Sequence, residues 1–418
     1  MMKRRQFLKT ASYVASARAL LGSQPARKPN IIFILADELG IGNVSCYGAD
    51  NFKTPYIDQL ALQGTRYTHC YTAPLCGPSS ALILTGRYAF RTGATSQDAT
   101  SRMKPSVETM MPTHLKPAGY VTASIGKWGQ LPLGPAEFGF DEHLNRPYST
   151  KYLPDVMHEF LIDFITRHRA DPFYIYYSMS NLQKPTLPTP DSKTDSTDFY
   201  TDNISYLDKL VGKLIAELER LKLRDNTMIV IAGDNGTGGV YADESTIGGR
   251  RLAGEKGSML EGGALVPLIV NWPGKTPAGK VSADLVDSTD FVPTFAELAG
   301  AKLRGNKVLD GRSFAPQILG QWAKPRDWIF IELARNWYVR EAGWKLNQAG
   351  HLFDMTDAPF EEPLVPADTI NPAAIAARQR LQVILSKLNP AAGIMDEGDG
   401  TGRHPGRLLH SKKKPQSQ

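Results

Sequence analysis

Apolar residues run without interruption through "NIIFILAD" at 30–37, and the run closes on an acid. A strand buried on both faces reads this way, with its polar groups gathered at the carboxyl end. "YVTASIGKW" (120–128), "PFYIYYSMS" (172–180), "TMIVIAGDNG" (227–236) and "VPLIVNWPG" (266–274) have the same character. Between them the period lengthens to that of amphipathic helices, in "DQLALQG", "LPDVMHEFLIDFITRHR", "FYTDNISYLDKLVGKLIAELERLKL" and "STDFVPTFAELAG". Strands alternating with helices predict an α/β fold, with a mostly parallel central sheet flanked by helices on both faces. In such sheets chemistry collects beyond the carboxyl ends of the strands. Asp37, Lys127, Asp234 and Asn235 all fall there.

After about Gly305 the pattern changes. "WIFIEL", "NWYVREAGWKLN" and "HLFDM" are short alternating stretches that predict a smaller C-terminal antiparallel sheet, followed by a helix near 373–387. "LQKPTLPTPDSKTDSTD" (182–198) is a Pro/Ser/Thr-rich loop placed beside the presumed site.

With 418 residues, 42% of them hydrophobic, the chain can bury a large core without disulfide staples. Its opening, "MMKRRQFLKTASYVASARALLG", resembles a twin-arginine export signal through Arg4-Arg5 and the Gln-Phe-Leu-Lys that follows. The expected address is periplasmic or secreted; the alternative is a disordered basic N-terminus. No other run stays apolar for about 18 residues, so no membrane span is expected. The formal charge of +6 comes from the ends: residues 1–19 and 401–418 each carry five cations and no acid, which leaves −4 for the body. That balance argues against a nucleic-acid-binding face. Cys46, Cys70 and Cys76 are an odd count, so one stays unpaired whatever the others do.

Candidate chemistry centres on "PLCGPSSALILTGRY" (74–88). A cysteine stands at the mouth of a predicted helix, where free backbone N–H groups face an anion. This stretch resembles the sulfatase signature Cys-x-Pro-Ser-Arg followed by apolar residues and Leu-Thr-Gly-Arg. "PNIIFILADELG", "GYVTASIGKWG", "DNG", "GEKGSMLEGGALVPLIVNWPG" and "LFDMTDAPFEE" are similar to further blocks of that family, in the same order. Over residues 29 to 390 the chain thus resembles a sulfatase of the alkaline phosphatase superfamily.

The resemblance implies an alkaline phosphatase-like fold and hydrolysis of a sulfate ester, on a sulfated carbohydrate or an aryl sulfate. It implies that Cys76 is oxidised to formylglycine by a formylglycine-generating enzyme, and that the hydrated aldehyde attacks sulfur. Asp37, Glu38, Asp234 and Asn235, with the group at position 76, match the ligands of a bound Ca²⁺ or Mg²⁺; hard oxygen donors suit either ion. Lys127 and Lys256 match the two lysines that hold sulfate oxygens, and Gln183 stands where the family has a histidine. Five positions depart from the pattern. Ser80 replaces an arginine, Gly129 and Gln183 replace histidines, and Leu265 replaces an arginine; Glu38 stands where Asp is usual. These departures leave two other readings open: a catalytically degenerate protein that binds calcium and sulfated glycans, or a related phosphoesterase, against which Cys76 speaks. The expected organisation is a signal and linker at 1–28, a catalytic α/β domain at 29–305, a C-terminal α+β subdomain at 306–390, and a disordered basic tail at 391–418.

Overall fold

The computed structural model describes residues 27–145 and 153–403. The export signal and the last part of the tail therefore lie outside the described residues. The strands are β1 (Asn30–Ala36), β2 (Thr65–Tyr71), β3 (Val121–Gly126), β4 (Glu142–Leu144), β5 (Phe173–Met179), β6 (Thr227–Gly233), β7 (Thr246–Ile247), β8 (Arg250–Arg251), β9 (Leu265–Asn271) and β10 (Lys280–Asp287). A second group follows, β11 (Ile329–Leu333), β12 (Asn336–Arg340), β13 (Trp344–Asn347) and β14 (Leu352–Asp354). The longer helices are α1 (Pro55–Leu62), α2 (Cys76–Thr85), α3 (Pro154–Arg167), α4 (Phe199–Arg220), α5 (Phe291–Leu298) and α6 (Pro372–Leu388).

Eight strands form one sheet in the order β10-β2-β9-β6-β1-β5-β3-β4. All pairings are parallel except those of β9, which runs antiparallel to both β2 and β6. The five apolar runs read from sequence are β1, β3, β5, β6 and β9. Three strands were not legible: β2, β4 and β10. β2 ("TRYTHCY") and β10 ("KVSADLVD") mix polar with apolar residues and their ladders contain irregularities, and β4 has three residues at an edge.

β1 shows why a central strand is apolar throughout. Ile31, Phe33 and Leu35 face one core with residues of α2 and α5, among them Ile83, Leu84, Phe291 and Phe295. Ile32 and Ile34 face the other with Leu161 and Phe164 of α3 and Leu207, Leu210 and Leu214 of α4. Both faces are covered, so no position in between is left for a polar side chain.

The C-terminal strands form an antiparallel sheet in the order β11-β12-β13-β14, with α6 packed on it through Leu381 and Leu385. Two buried ion pairs tie it to the main sheet. Arg326 pairs with Asp290 at 2.5 Å, and Arg340 of β12 pairs with Glu261 at 2.9 Å. The tail departs from expectation. It does not leave the body at 391: the Ile394 N–H donates to Phe90 O at 2.7 Å, Asp396 is buried, and the Gln97 N–H donates to Gly402 O at 3.0 Å. Backbone hydrogen bonds and the buried Asp396 and Gly402 hold this segment, which the charge count concealed. Cys46, Cys70 and Cys76 are all free thiols.

Candidate active site

The site lies where β6, β1, β5 and β3, adjacent in the sheet, reach their carboxyl ends. Ala36 is in register with Gly233, so Asp37 and Asp234, one residue further on, face each other across parallel strands. Backbone bonds extend the ladder past the strands: Asp37 N–H to Met179 O at 2.9 Å, Asp234 N–H to Ala36 O at 3.2 Å, and Lys127 N–H to Ser178 O at 2.9 Å. Register therefore places all three side chains on one edge before any side-chain contact is made.

Opposite them is the start of α2. Leu75 is its N-cap and offers no side-chain cap, so the first N–H groups need partners from elsewhere. Gly77 N–H donates to Gln97 Oε1 at 2.6 Å. A Cβ at Gly77 would come within 2.7 Å of that oxygen and 2.9 Å of Thr100 Oγ1, so a larger residue there would displace the Gln97 side chain. All ten residues of α2 are buried.

Cys76 Sγ, Asp37 and Asp234 bring their ligand atoms within 4.8 Å of one another. The Cys76 thiol donates to Asp37 Oδ1 at 3.2 Å. Lys127 Nζ donates to Asp37 Oδ2 at 2.7 Å, and Lys256 Nζ lies 3.1 Å from Cys76 Sγ and 2.6 Å from Glu38 Oε1. The Asn235 amide donates to Asp234 Oδ1 and lies 3.7 Å from Cys76 Sγ, while its own Oδ1 is buried with no hydrogen-bond partner.

Electrostatics follows from this crowding. Burial pushes Asp37 up, but the cations of Lys127 and Lys256 outweigh it and hold the carboxyl well below the usual range. Asp234 goes the other way: burial, then the charge of Asp37, raise it above the usual carboxylate range. Burial, then Asp234 and Asp37, push the Cys76 thiol up to about 12. At neutral pH the sulfur keeps its proton, and only the thiolate is a good nucleophile.

Two carboxylates in contact, a buried amide oxygen without a partner, and hard oxygen donors from two strand ends fit a divalent cation of the Ca²⁺ or Mg²⁺ class. Asp37, Asp234 and Asn235 are the donors so placed. Glu38 stands apart from the cluster. Its backbone is left-handed (φ 60) and its N–H donates to Asp234 Oδ1 at 2.9 Å, while its carboxylate is engaged by Lys256.

The departures are not in one place. Ser80, one turn after Cys76, is buried near Tyr176, and a Cβ at Gly129 would lie 3.6 Å from Ser80 Oγ. The two positions share a wall and leave it lined by small groups. Gln183 is half-buried on the turn leaving β5, between β1 and β3 in the sheet. Leu265 is not at the site: it packs with Tyr71, Ile329, Ile331 and Tyr338 at the junction of the two sheets. Sequence reasoning missed Gln97, which braces the α2 N-terminus, and Gly402, which rests on it. The polar stretch "GATSQDATS" carries no motif that would have marked Gln97.

The Sulfatase family model matches residues 29–301. The dog (Canis lupus familiaris) N-acetylgalactosamine-6-sulfatase is 31% identical over 361 residues, covering 73% of this chain and 69% of that protein. The rat (Rattus norvegicus) steryl-sulfatase is 27% identical over 444 residues, covering 78% and 76%. Among solved structures, Ps i-CgsB in complex with k-i-k-neocarrahexaose superposes with a TM-score of 0.77 at 25% identity, covering 93% of this chain and 98% of that one.

Proposed function

The chain belongs to the sulfatase family, the sulfuric ester hydrolases, and on that premise we propose that its working form carries formylglycine at position 76 beside a Ca²⁺ or Mg²⁺ ion and cleaves sulfate from a sulfated carbohydrate. The observation that carries the reading is the meeting of Cys76, Asp37 and Asp234 with Lys127 and Lys256 at the start of a buried helix. Hydrolysis of a sulfate monoester needs a nucleophile, a means of holding the anion, and a path for the leaving group.

Asp37, Asp234 and Asn235 would hold the cation, which supplies a positive charge that relieves the contact of the two carboxylates and polarises an oxygen ligand. Formylglycine supplies a nucleophile that is regenerated, which a thiol at position 76, protonated at neutral pH, does not. Lys256 is one hydrogen bond from the reacting position and Lys127 one bond from Asp37, so both ammonium groups can donate to sulfate oxygens as charge develops there. Burial lowers both lysines, but the surrounding anions outweigh it and keep them cationic. Gln183 can donate a hydrogen bond but not a proton, so on this reading the leaving oxygen departs with little protonation from that position. A related phosphoesterase would place Ser or Thr at position 76 and is disfavoured.

The carbohydrate class is supported by the names of the relatives, an N-acetylgalactosamine-6-sulfatase and a structure holding a neocarrahexaose. Export through Arg4-Arg5 and maturation by a formylglycine-generating enzyme belong to the same proposal. Among the described residues no helix is long and apolar enough to cross a membrane. The boundaries near 305 and 390 are likewise proposed.

The test is the mass of the peptide containing position 76 from the native host, together with hydrolysis of 4-nitrophenyl sulfate. The expected result is the aldehyde mass and hydrolysis abolished by Cys76→Ala. A free thiol with no hydrolysis overturns the enzyme reading in favour of a protein that only binds sulfated glycans.

A further inference from the structure

The segment after α6 returns to the mouth of the site. Gly402 O accepts from Gln97 N–H at 3.0 Å, and Gln97 in turn braces Gly77 beside Cys76. Gly402 is buried, and a Cβ there would come within 2.6 Å of Leu333 Cδ1 and 3.1 Å of Leu75 Cδ1; Leu75 is the residue before Cys76. The next residue, Arg403, is exposed, and its Nη2 lies 3.6 Å from the point where a Cβ on Gly257 would stand. Gly257 follows Lys256, and its N–H donates to Pro74 O at 2.9 Å. Leu75, Gly257 and Gly402 thus form one rim, and Arg403 stands on it. Among the described residues no carboxylate pairs with its guanidinium.

We propose that the C-terminal segment completes the active-site rim and that Arg403 is a specificity residue for a second anionic group, sulfate or carboxylate, on the substrate. The inference rests on the sulfatase reading above. The reacting sulfate is held by the buried lysines. Arg403 is solvent-exposed and anchored through its own backbone: its N–H donates to Thr401 Oγ1 at 3.1 Å, and Thr401 Oγ1 donates to Arg403 O at 2.7 Å. A guanidinium so placed presents a planar, bidentate donor to an anion that reaches past the ester being cut. The substrate class it fits is a multiply charged sulfated glycan.

The test compares N-acetylgalactosamine 6-sulfate with N-acetylgalactosamine 4,6-disulfate. An exposed ion pair contributes modestly, and charge reversal adds repulsion to its loss. Arg403→Glu should therefore lower the ratio of kcat/KM for the disulfate over the monosulfate by about five- to tenfold, mainly through KM. Arg403→Lys should recover part of it, and 1 M salt, where the Debye length is ~3 Å, should erase the difference. Gly402→Leu, which displaces the segment from Leu75 and Leu333, should lower the same ratio with Arg403 intact. An unchanged ratio in Arg403→Glu at low salt overturns the proposal. So does an equal fall for both sugars, which marks a structural role only. If the parent protein hydrolyses neither sugar, 4-nitrophenyl sulfate decides the sulfatase reading, and calorimetric binding of the two sugars decides Arg403 by the same ratio.

Discussion

Arg340→Met removes one partner of a pair in which both side chains are 1% exposed. Glu261 would keep its bond from Tyr71 Oη (2.7 Å) but lose the guanidinium at 2.9 Å. Breaking a buried pair from one side leaves an uncompensated charge and costs about 3–5 kcal/mol. For a chain of 418 residues, an unfolding entropy of ~2.1 cal/mol/K per residue makes that a fall in Tm of roughly 3–6 °C. The loss should spread to the site. Glu261 opens the turn after the loop that carries Lys256, and its N–H donates to Glu362 Oε1 at 2.7 Å, where Lys345 is also bound. Sulfate-ester turnover should drop with stability. In the double variant Arg340→Met/Glu261→Gln the buried charge is gone from both sides, and at least half of the lost stability should return. The measurement is thermal unfolding of the three variants beside the parent. A single variant within 1 kcal/mol of the parent, or a double variant no better than the single, would refute the account of the pair as a coupled, desolvated unit.

Further expectations can be checked in the same way. Millimolar Ca²⁺ should raise Tm and a chelator lower it; Asp234→Ala should abolish that shift, and a melting point indifferent to both reagents would remove the cation from the site. Ser80→Arg, co-expressed with a formylglycine-generating enzyme, should increase the aldehyde fraction at position 76 by mass spectrometry, its side chain entering the wall now lined by Ser80 and Gly129; abundant aldehyde in the parent would show that Ser80 is tolerated. Glu332 is pushed up from 4.5 to about 8, by burial first and then by Asp396. Its folded pKa is the higher one, so the group favours the native state below about pH 4.5 and that contribution is lost as pH rises to 8, by up to ~1.4 kcal/mol per unit. Glu332→Gln should flatten the stability profile over that window and stabilise above it; identical profiles would mean that Glu332 titrates normally.

The legible part of the fold was the part with both faces buried. β1, β5 and β6 keep polar residues such as Asn30, Ser178 and Thr227 at or near their ends, so each appeared as an apolar run ending in the groups that matter. Edge strands escaped for the opposite reason: β10 pairs on one side only and tolerates Lys280, Ser282 and Asp284. The orientation of β9 was also hidden, because an apolar run has no direction until its neighbours are known. Within the site, Asp37, Lys127 and Asp234 could be expected at strand ends, since register fixes them there. Glu38 could not be placed from sequence, because its side chain is directed by a positive φ and by Lys256. Leu265 looked like a lost site residue and proved to be core. Gln97, at the start of a four-residue helix, and Arg403, in the C-terminal segment, reach the site by paths that depend on tertiary packing.

The complete burial of α2 sets a clock as well as a geometry. In the finished fold no residue of α2 is open to solvent, so an enzyme that alters Cys76 must reach it before that cover closes. Part of its cover is late in the chain: a Cβ on Gly86 at the end of α2 would meet Thr289 and Val292, and Phe291 and Phe295 close the same core. Those residues are synthesised about 200 positions after Cys76, which at ~5–20 residues per second is an interval of roughly 10–40 s. During that interval part of the cover of the helix is missing, although Phe33, Leu35 and Gln97 are already made. On the formylglycine proposal, oxidation at position 76 therefore becomes a race against the closing of that core by residues 289–295, which follow β10 in the chain.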